Sequence, residues 1–200
     1  MVKLKLKKLV ILIFIILVIL SLISLIEFET KKLDQQTYDL ELSKIKEQNM
    51  QPNVGLEVGN KAPNFVLATL EGKKLSLWEF AGKKAVILNF WATWCPPCKK
   101  EMPLLQRYYE KFDQDSSNLE ILAINMQEDP ALVKEWIKDF SMTYTILLDP
   151  AEQAKSSYNI YAKPTTFFID KTGIIRAKKL GQLTEDELDA NFKLILDKPK

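Results

Sequence analysis

The stretch Ala85-Val86-Ile87-Leu88-Asn89-Phe90-Trp91-Ala92-Thr93-Trp94-Cys95-Pro96-Pro97-Cys98 decides how this chain folds. Its first six residues form a nearly unbroken apolar run of strand length, the pattern of a strand buried on both faces. Its end delivers the chain to both cysteines of the protein, spaced i and i+3. Beyond them Met102, Leu105, Tyr109 and Phe112 recur at helical spacing, which predicts a helix from about Pro96 to Phe112. Pro96 and Pro97 fall in the first turn, where backbone N–H groups have no helical partner to lose.

Two cysteines at this spacing across a helix start can close and release a disulfide with little backbone movement. The positive end of the helix dipole favours a thiolate on the first of them. Cys95 is thus the expected nucleophile and Cys98 the resolving thiol that attacks a mixed disulfide. Phe90, Trp91 and Trp94 are expected to pack around the turn. A purely structural bridge is the weaker reading, because closing a four-residue loop stabilises by only about 2 kcal/mol. Structural zinc wants four Cys or His ligands, and the chain has two cysteines and no histidine. The missing histidine also removes Cys-His and Ser-His-Asp hydrolases and copper delivery through cysteine and histidine. No metal and no cofactor are expected.

Outward from this stretch the elements alternate. Phe65 to Leu70 and Lys74 to Leu77 read as strands around the turn residues Glu71 and Gly72. Leu119 to Asn125 reads as a strand, followed by a helix capped at Asp129-Pro130 and running through Phe140. Thr143 to Leu148 is a further strand, and Asp149-Pro150-Ala151-Glu152 resembles a capped start for a short helix ending near Tyr158. Thr165 to Ile169 and Ile174 to Lys179 form a second hairpin, and Thr184-Glu185-Asp186-Glu187 is a capping box opening a last helix through about Leu196. The alternation of strand and helix marks an α/β domain.

The N-terminal part has a different composition. Lys3, Lys5, Lys7 and Lys8 precede an apolar run from Leu9 to Ile26, a span of roughly 27 Å as helix. The run is apolar on every face, and no small-residue cleavage pattern follows it, so a retained anchor is expected in place of a cleaved signal. The lysines should stay in the cytoplasm, which sends residues 27 onward to the outer side. The expected organisation is a basic segment (1–8), a transmembrane anchor (9–26), a tether (27–57) and a catalytic domain (58–200). Without the four N-terminal lysines the 28 basic residues fall to 24 against 26 acids, so nothing suggests a nucleic-acid partner.

Gly59, Ala62-Pro63, Phe65, Leu67, Gly72, the run Asn89 to Cys98, Glu101, Pro103, and Pro164-Thr165-Thr166-Phe167-Phe168-Ile169-Asp170 with Gly173 make the chain resemble a known family. It is similar to the membrane-tethered, thioredoxin-like thiol-disulfide oxidoreductases of the TlpA and ResA type, over about residues 58 to 196. The resemblance implies a central mixed β-sheet flanked by helices, with an N-terminal β-hairpin extension. It implies a cis bond before Pro164, beside Cys95, where backbone can pair with an extended substrate segment. Trp94, Pro96, Lys163, Pro164 and Thr165 are then the expected substrate-binding residues. Glu101 matches an acid that tunes the cysteines in ResA-like members, although from sequence alone it would pass for an exposed helix acid.

Two positions depart from the wider pattern. Cytosolic thioredoxins carry a buried aspartate where this chain has Asn89, so proton handling is expected to rest on Glu101. Lys163 is a cation where the family usually has an uncharged residue. It either stabilises the Cys95 thiolate and draws acidic substrates, or is a solvated lysine. The resemblance implies a monomeric reductase that takes electrons from a transmembrane donor of the CcdA/DsbD type. Its substrates would be extracytoplasmic protein disulfides, in apocytochrome c or in spore-envelope proteins. A disulfide-forming oxidase and a non-catalytic adaptor on the same fold are the alternatives. A thiol peroxidase is disfavoured, because Ala92 stands where a threonine is expected three residues before a peroxidatic cysteine.

Overall fold

A computed structural model describes the backbone of residues 2–50, 52–113 and 118–196, and their side chains except in 2–16, 42, 44–50 and 113. The chain divides into two compact units, Met1–Gln51 and Pro52–Lys200.

The first unit is one helix, α1 (Val2–Met50). It runs without a break from the apolar stretch into the polar residues expected to form a tether, so that segment is helical as far as Met50. Residues 17–26 and Phe28 are exposed, and because the apolar ones among them follow one another along the chain, they cover every face of the helix. Among the described residues no helix is long and apolar enough to cross a membrane. The side chains of residues 9–16, the first eight of the 18 residues of the expected anchor, lie outside the described residues.

The second unit is built on a seven-stranded mixed sheet. Its strands are β1 (Val66–Thr69), β2 (Lys74–Ser76), β3 (Ala85–Trp91), β4 (Leu119–Met126), β5 (Thr145–Asp149), β6 (Thr165–Ile169) and β7 (Ile175–Leu180), in the order β2-β1-β5-β4-β3-β6-β7. Strands β3, β4 and β5 run parallel, while β1 and β6 join them antiparallel. Both expected hairpins are present, with Gly72 turning the first at φ +84°, a conformation that costs glycine little. All seven residues of β3 are buried, as an apolar run with no alternation predicts.

The helices α2 (Pro96–Asp113), α3 (Pro130–Asp139), α4 (Gln153–Ser157) and α5 (Glu185–Leu196) follow the sequence reading closely. Asp129 caps α3 by accepting the Ala131 N–H at 2.7 Å. Thr184 and Glu187 form the reciprocal capping box of α5. The start of α4 differs from the expectation. Glu152 occupies the cap position at φ +55° without capping, and the Asp149 carboxylate reaches forward to the N–H groups of Gln153 and Lys155.

The sheet separates two cores. One holds Ile87, Trp91, Cys95, Cys98, Met102, Leu105, Trp136, Phe168, Leu188 and Phe192, and so carries α2, α3 and α5. The other holds Leu88, Phe90, Ile124, Tyr158, Phe167 and the β1 residue Leu67. Phe90 therefore packs away from the cysteine turn, contrary to the expectation, because neighbouring residues of a strand point to opposite faces.

Candidate active site

Cys95 and Cys98 are joined by a disulfide with their Cα atoms 5.3 Å apart. They sit where β3 ends and α2 begins, and Cys95 is 3% exposed while Cys98 has no exposure. The Cys98 N–H points at the Cys95 sulfur at 3.3 Å, so a free donor of the first helical turn faces the sulfur that must carry charge. Trp91 stacks on Trp136 beneath the turn, with ring centroids 4.8 Å apart. Trp94 does not pack inward but is 66% exposed, and Pro96 is exposed beside it.

Glu101 lies one helical turn beyond Cys98 and is fully buried. Its two carboxylate oxygens accept from the Asn89 side-chain amide and from the Leu183 backbone N–H, each at 2.8 Å. The Asn89 amide also donates to Thr166 Oγ1 at 2.9 Å. Burial pushes the Glu101 carboxyl up to about 7, against the opposing pull of the Leu183 and Asn89 hydrogen bonds and the Lys179 ammonium. A buried acid held near neutrality by its surroundings has the ionisation that proton transfer at neutral pH requires.

The Lys163–Pro164 peptide bond is cis. Pro164 is buried, and its carbonyl accepts from Gly181 N–H. Thr165 pairs with Phe90 across the sheet, and its hydroxyl closes the loop by donating to the Ala162 carbonyl at 2.8 Å. Lys163 is half-buried, with its ammonium 4.8 Å from the centre of the Trp94 ring. Burial lowers the Lys163 pKa, and Lys155 adds to this while Glu128 and Glu152 oppose it. The structure thus brings Trp94 and Lys163 together, and Asn89, Thr166 and Glu101 together.

A profile described as the AhpC/TSA family matches residues 58–178. The thiol-disulfide oxidoreductase ResA of Bacillus thuringiensis subsp. konkukian is 38% identical over 140 residues, which cover 70% of this chain and 79% of ResA. The thioredoxin-like protein YneN of Bacillus subtilis is 35% identical over 144 residues, covering 70% and 82%. This chain belongs to the AhpC/TSA family. Solved structures share the thioredoxin-like fold. StoA of Bacillus subtilis matches with a TM-score of 0.56 at 31% identity, covering 65% of this chain and 96% of StoA. A thiol:disulfide interchange protein of the thioredoxin family from Chlorobium tepidum matches with a TM-score of 0.63 at 27% identity, covering 72% and 100%. The AhpC/TSA chain described here has a thioredoxin-like fold and is a thiol-disulfide oxidoreductase, with ResA among its relatives.

Several residues of this ResA-like site were not singled out from the sequence. The Glu128 carboxylate accepts from the Thr93 N–H at 2.7 Å, from the Thr93 hydroxyl and from the Asn125 amide at 2.7 Å. It clamps the segment that carries Trp94 and Cys95. Its position was in principle readable, because Trp91 and Asn125 lie in register on the parallel strands β3 and β4, so the loops that follow them converge. Leu183 and Lys179 had no such local signal. They reach Glu101 through the β6–β7 hairpin and the loop before α5.

Proposed function

We propose that this protein is a membrane-anchored, extracytoplasmic reductase of protein disulfides. The observation that carries the reading is a cysteine pair at a helix start whose resolving member lies one turn from a buried, near-neutral acid. In the reduced protein the Cys95 thiolate attacks one sulfur of a substrate disulfide. The substrate S–S bond breaks, a Cys95–substrate mixed disulfide forms, and the released substrate thiolate takes a proton. Cys98 then gives its proton to the Glu101 carboxylate and attacks the Cys95 sulfur, which breaks the mixed disulfide, forms the Cys95–Cys98 disulfide and releases the second substrate sulfur as a thiolate that takes a proton in turn. Two electrons have passed to the substrate, and a transmembrane dithiol donor of the CcdA/DsbD type returns them.

The exposed Trp94 and Pro96 and the half-buried Lys163 form the docking surface, and Pro164 and Thr165 hold the loop against which an extended substrate segment lies. The backbone of Lys163 makes no hydrogen bond among the described residues, while the Pro164 carbonyl is already taken by Gly181. Apocytochrome c or a protein of similar kind, with a cysteine pair that must be reduced outside the membrane, fits this chemistry. The membrane location is supported by the lysine-flanked apolar run in α1, whose described part is exposed on every face. A surface of that kind is stable in lipid and not in water.

Replacing Cys98 by alanine in the full chain tests this reading. Extracytoplasmic proteins should accumulate as mixed disulfides on Cys95, and the wild-type pair should be found mainly reduced in growing cells. A wild-type pair held fully oxidised, with substrates that lose their disulfides when the protein is deleted, would reverse the direction and make the protein an oxidase.

A further inference from the structure

The hydrogen-bond rows of the sheet place Lys179 on the chemistry of the site. Asn89 on β3 pairs with Thr166 on β6, and Thr166 pairs with Lys179 on β7. Residues directly opposite one another in neighbouring strands share a face of the sheet. The Asn89–Glu101 side-chain hydrogen bond sets this face against α2, and Trp91, two residues on in β3, shares its core with Leu188 and Phe192 of α5. Lys179 therefore stands two strands along from Asn89 in the row that meets Glu101. Its ammonium is ion-paired with Glu187, the acid of the α5 capping box. The same loop that enters this box supplies the Leu183 N–H to Glu101.

We propose that Lys179 is a positioning residue for the redox site: its ammonium supplies the field that favours the carboxylate form of Glu101, and Glu187 holds that field in check. This rests on the reading of Glu101 as the proton carrier for Cys98. The other titratable or charged groups facing Glu101 are few. Tyr144 on β5 lies within electrostatic range, but its phenol is buried and stays neutral, pushed well above its ordinary value by burial. Cys98 stands one turn before Glu101 on α2, and it and Cys95 do not titrate while joined. Asn89 and Thr166 contribute dipoles only. Lys179 is thus the cation acting on Glu101 among the described residues, and Lys179 itself is held by a carboxylate that its hydrogen bond keeps below the usual glutamate range. The pair is 31% and 35% exposed at its side chains, so solvent weakens the field without removing it.

Such a device has a use in a dithiol enzyme. A proton acceptor for Cys98 must be ionised when the mixed disulfide is attacked, and burial alone would keep Glu101 protonated at neutral pH. A partly neutralised lysine moves the balance back toward the carboxylate without placing a full positive charge against the acid.

The test uses the full-length protein in detergent, oxidised so that the cysteines do not titrate, and labelled with ¹³C at its glutamate carboxyls. The resonance lost in Glu101→Gln identifies Glu101. Its titration midpoint should rise in Lys179→Met and fall in Glu187→Gln, in each case by less than the roughly 1 pH unit that a close ion pair produces. Lys179→Arg should return it toward the wild-type value. Glutamine can serve in a capping box, so Glu187→Gln keeps the start of α5, and opposite movements in the two variants cannot come from a shared loss of structure. A near-neutral Glu101 whose midpoint neither variant moves, or that both move the same way, would overturn this inference alone. If Glu101→Gln removes no near-neutral resonance, the proton-carrier reading and this inference fall together.

Discussion

Leu88 and Phe90 point from strand β3 into one core, and Asn89 and Trp91 point from the same strand into the other, all four without solvent exposure. Around Phe90 everything is apolar or aromatic: Tyr158 at 5.4 Å and Phe167 at 6.2 Å between ring centroids, with Leu67 and Ile124 in the same cluster. Around Asn89 the packing is interrupted by a carboxylate and a threonine hydroxyl. Burying Glu101 costs free energy that its two hydrogen bonds return only in part, which is why its proton is held to near-neutral pH. One side of the strand thus supplies stability, and the other accepts a cost in stability to hold a group that can gain and lose a proton.

The largest test of this division is Phe90→Ala. Truncating a fully buried aromatic ring should cost about 3–5 kcal/mol, read as a fall in the denaturant midpoint followed by fluorescence of Trp91 and Trp136. The pH dependence of Cys95 alkylation in the surviving folded protein should stay where it was. A pH profile displaced in Phe90→Ala would show that the two faces are not separable.

Glu101→Gln tests the other face and should give the opposite pattern. The folded carboxyl titrates at about 7 against an ordinary 4.5, so the folded state binds this proton more tightly than the unfolded chain. The contribution is fully present below about pH 4.5 and is lost as the pH rises through 7, a change of at most roughly 3–4 kcal/mol. Wild-type stability should therefore fall relative to Glu101→Gln between about pH 5 and 8, in urea unfolding of the oxidised proteins. Parallel pH curves for the two proteins would mean that Glu101 is not the buried titrating group. In the reduced protein the same substitution should shift the alkylation profile of the cysteines, and unchanged thiol pKa values would remove its role in the chemistry.

How much of this was readable in advance follows the same division. The run Ala85 to Phe90, the turn residues Glu71 and Gly72, and the Thr184–Glu187 box are local signals, and each gave its element within a few residues. A strand buried on both faces lacks the alternation that would tell its sides apart, so Phe90 was assigned to the wrong core. Glu101 looks like any surface acid on a helix, and only the resemblance pointed to it, since burial of a charge is set by what packs above it. Glu128 and Lys179 depend on strand register, which brings together residues 35 and 78 positions from Thr93 and Glu101 in the chain. The turn at Glu152 was misread because Asp149 satisfies the helix start from three residues further back.

Lys163 lies outside both cores, and the smallest effect is expected from it. Its contact with the exposed Trp94 ring should be worth about 0.5–1 kcal/mol, or a two- to fivefold change in a rate. A substrate segment bearing an acid beside its disulfide would meet this ammonium on approach, whereas the Glu128 carboxylate nearby is already bound by Thr93 and Asn125. Lys163→Ala should therefore slow exchange between reduced protein and a glutamate-flanked peptide disulfide by roughly that factor, and less at high salt, where exposed charges are screened. A neutral peptide should be reduced at the wild-type rate. Equal slowing of both peptides would move the lysine from substrate choice to stabilisation of the Cys95 thiolate, visible as a raised Cys95 pKa, and no change in either would leave it a solvated side chain resting on a tryptophan.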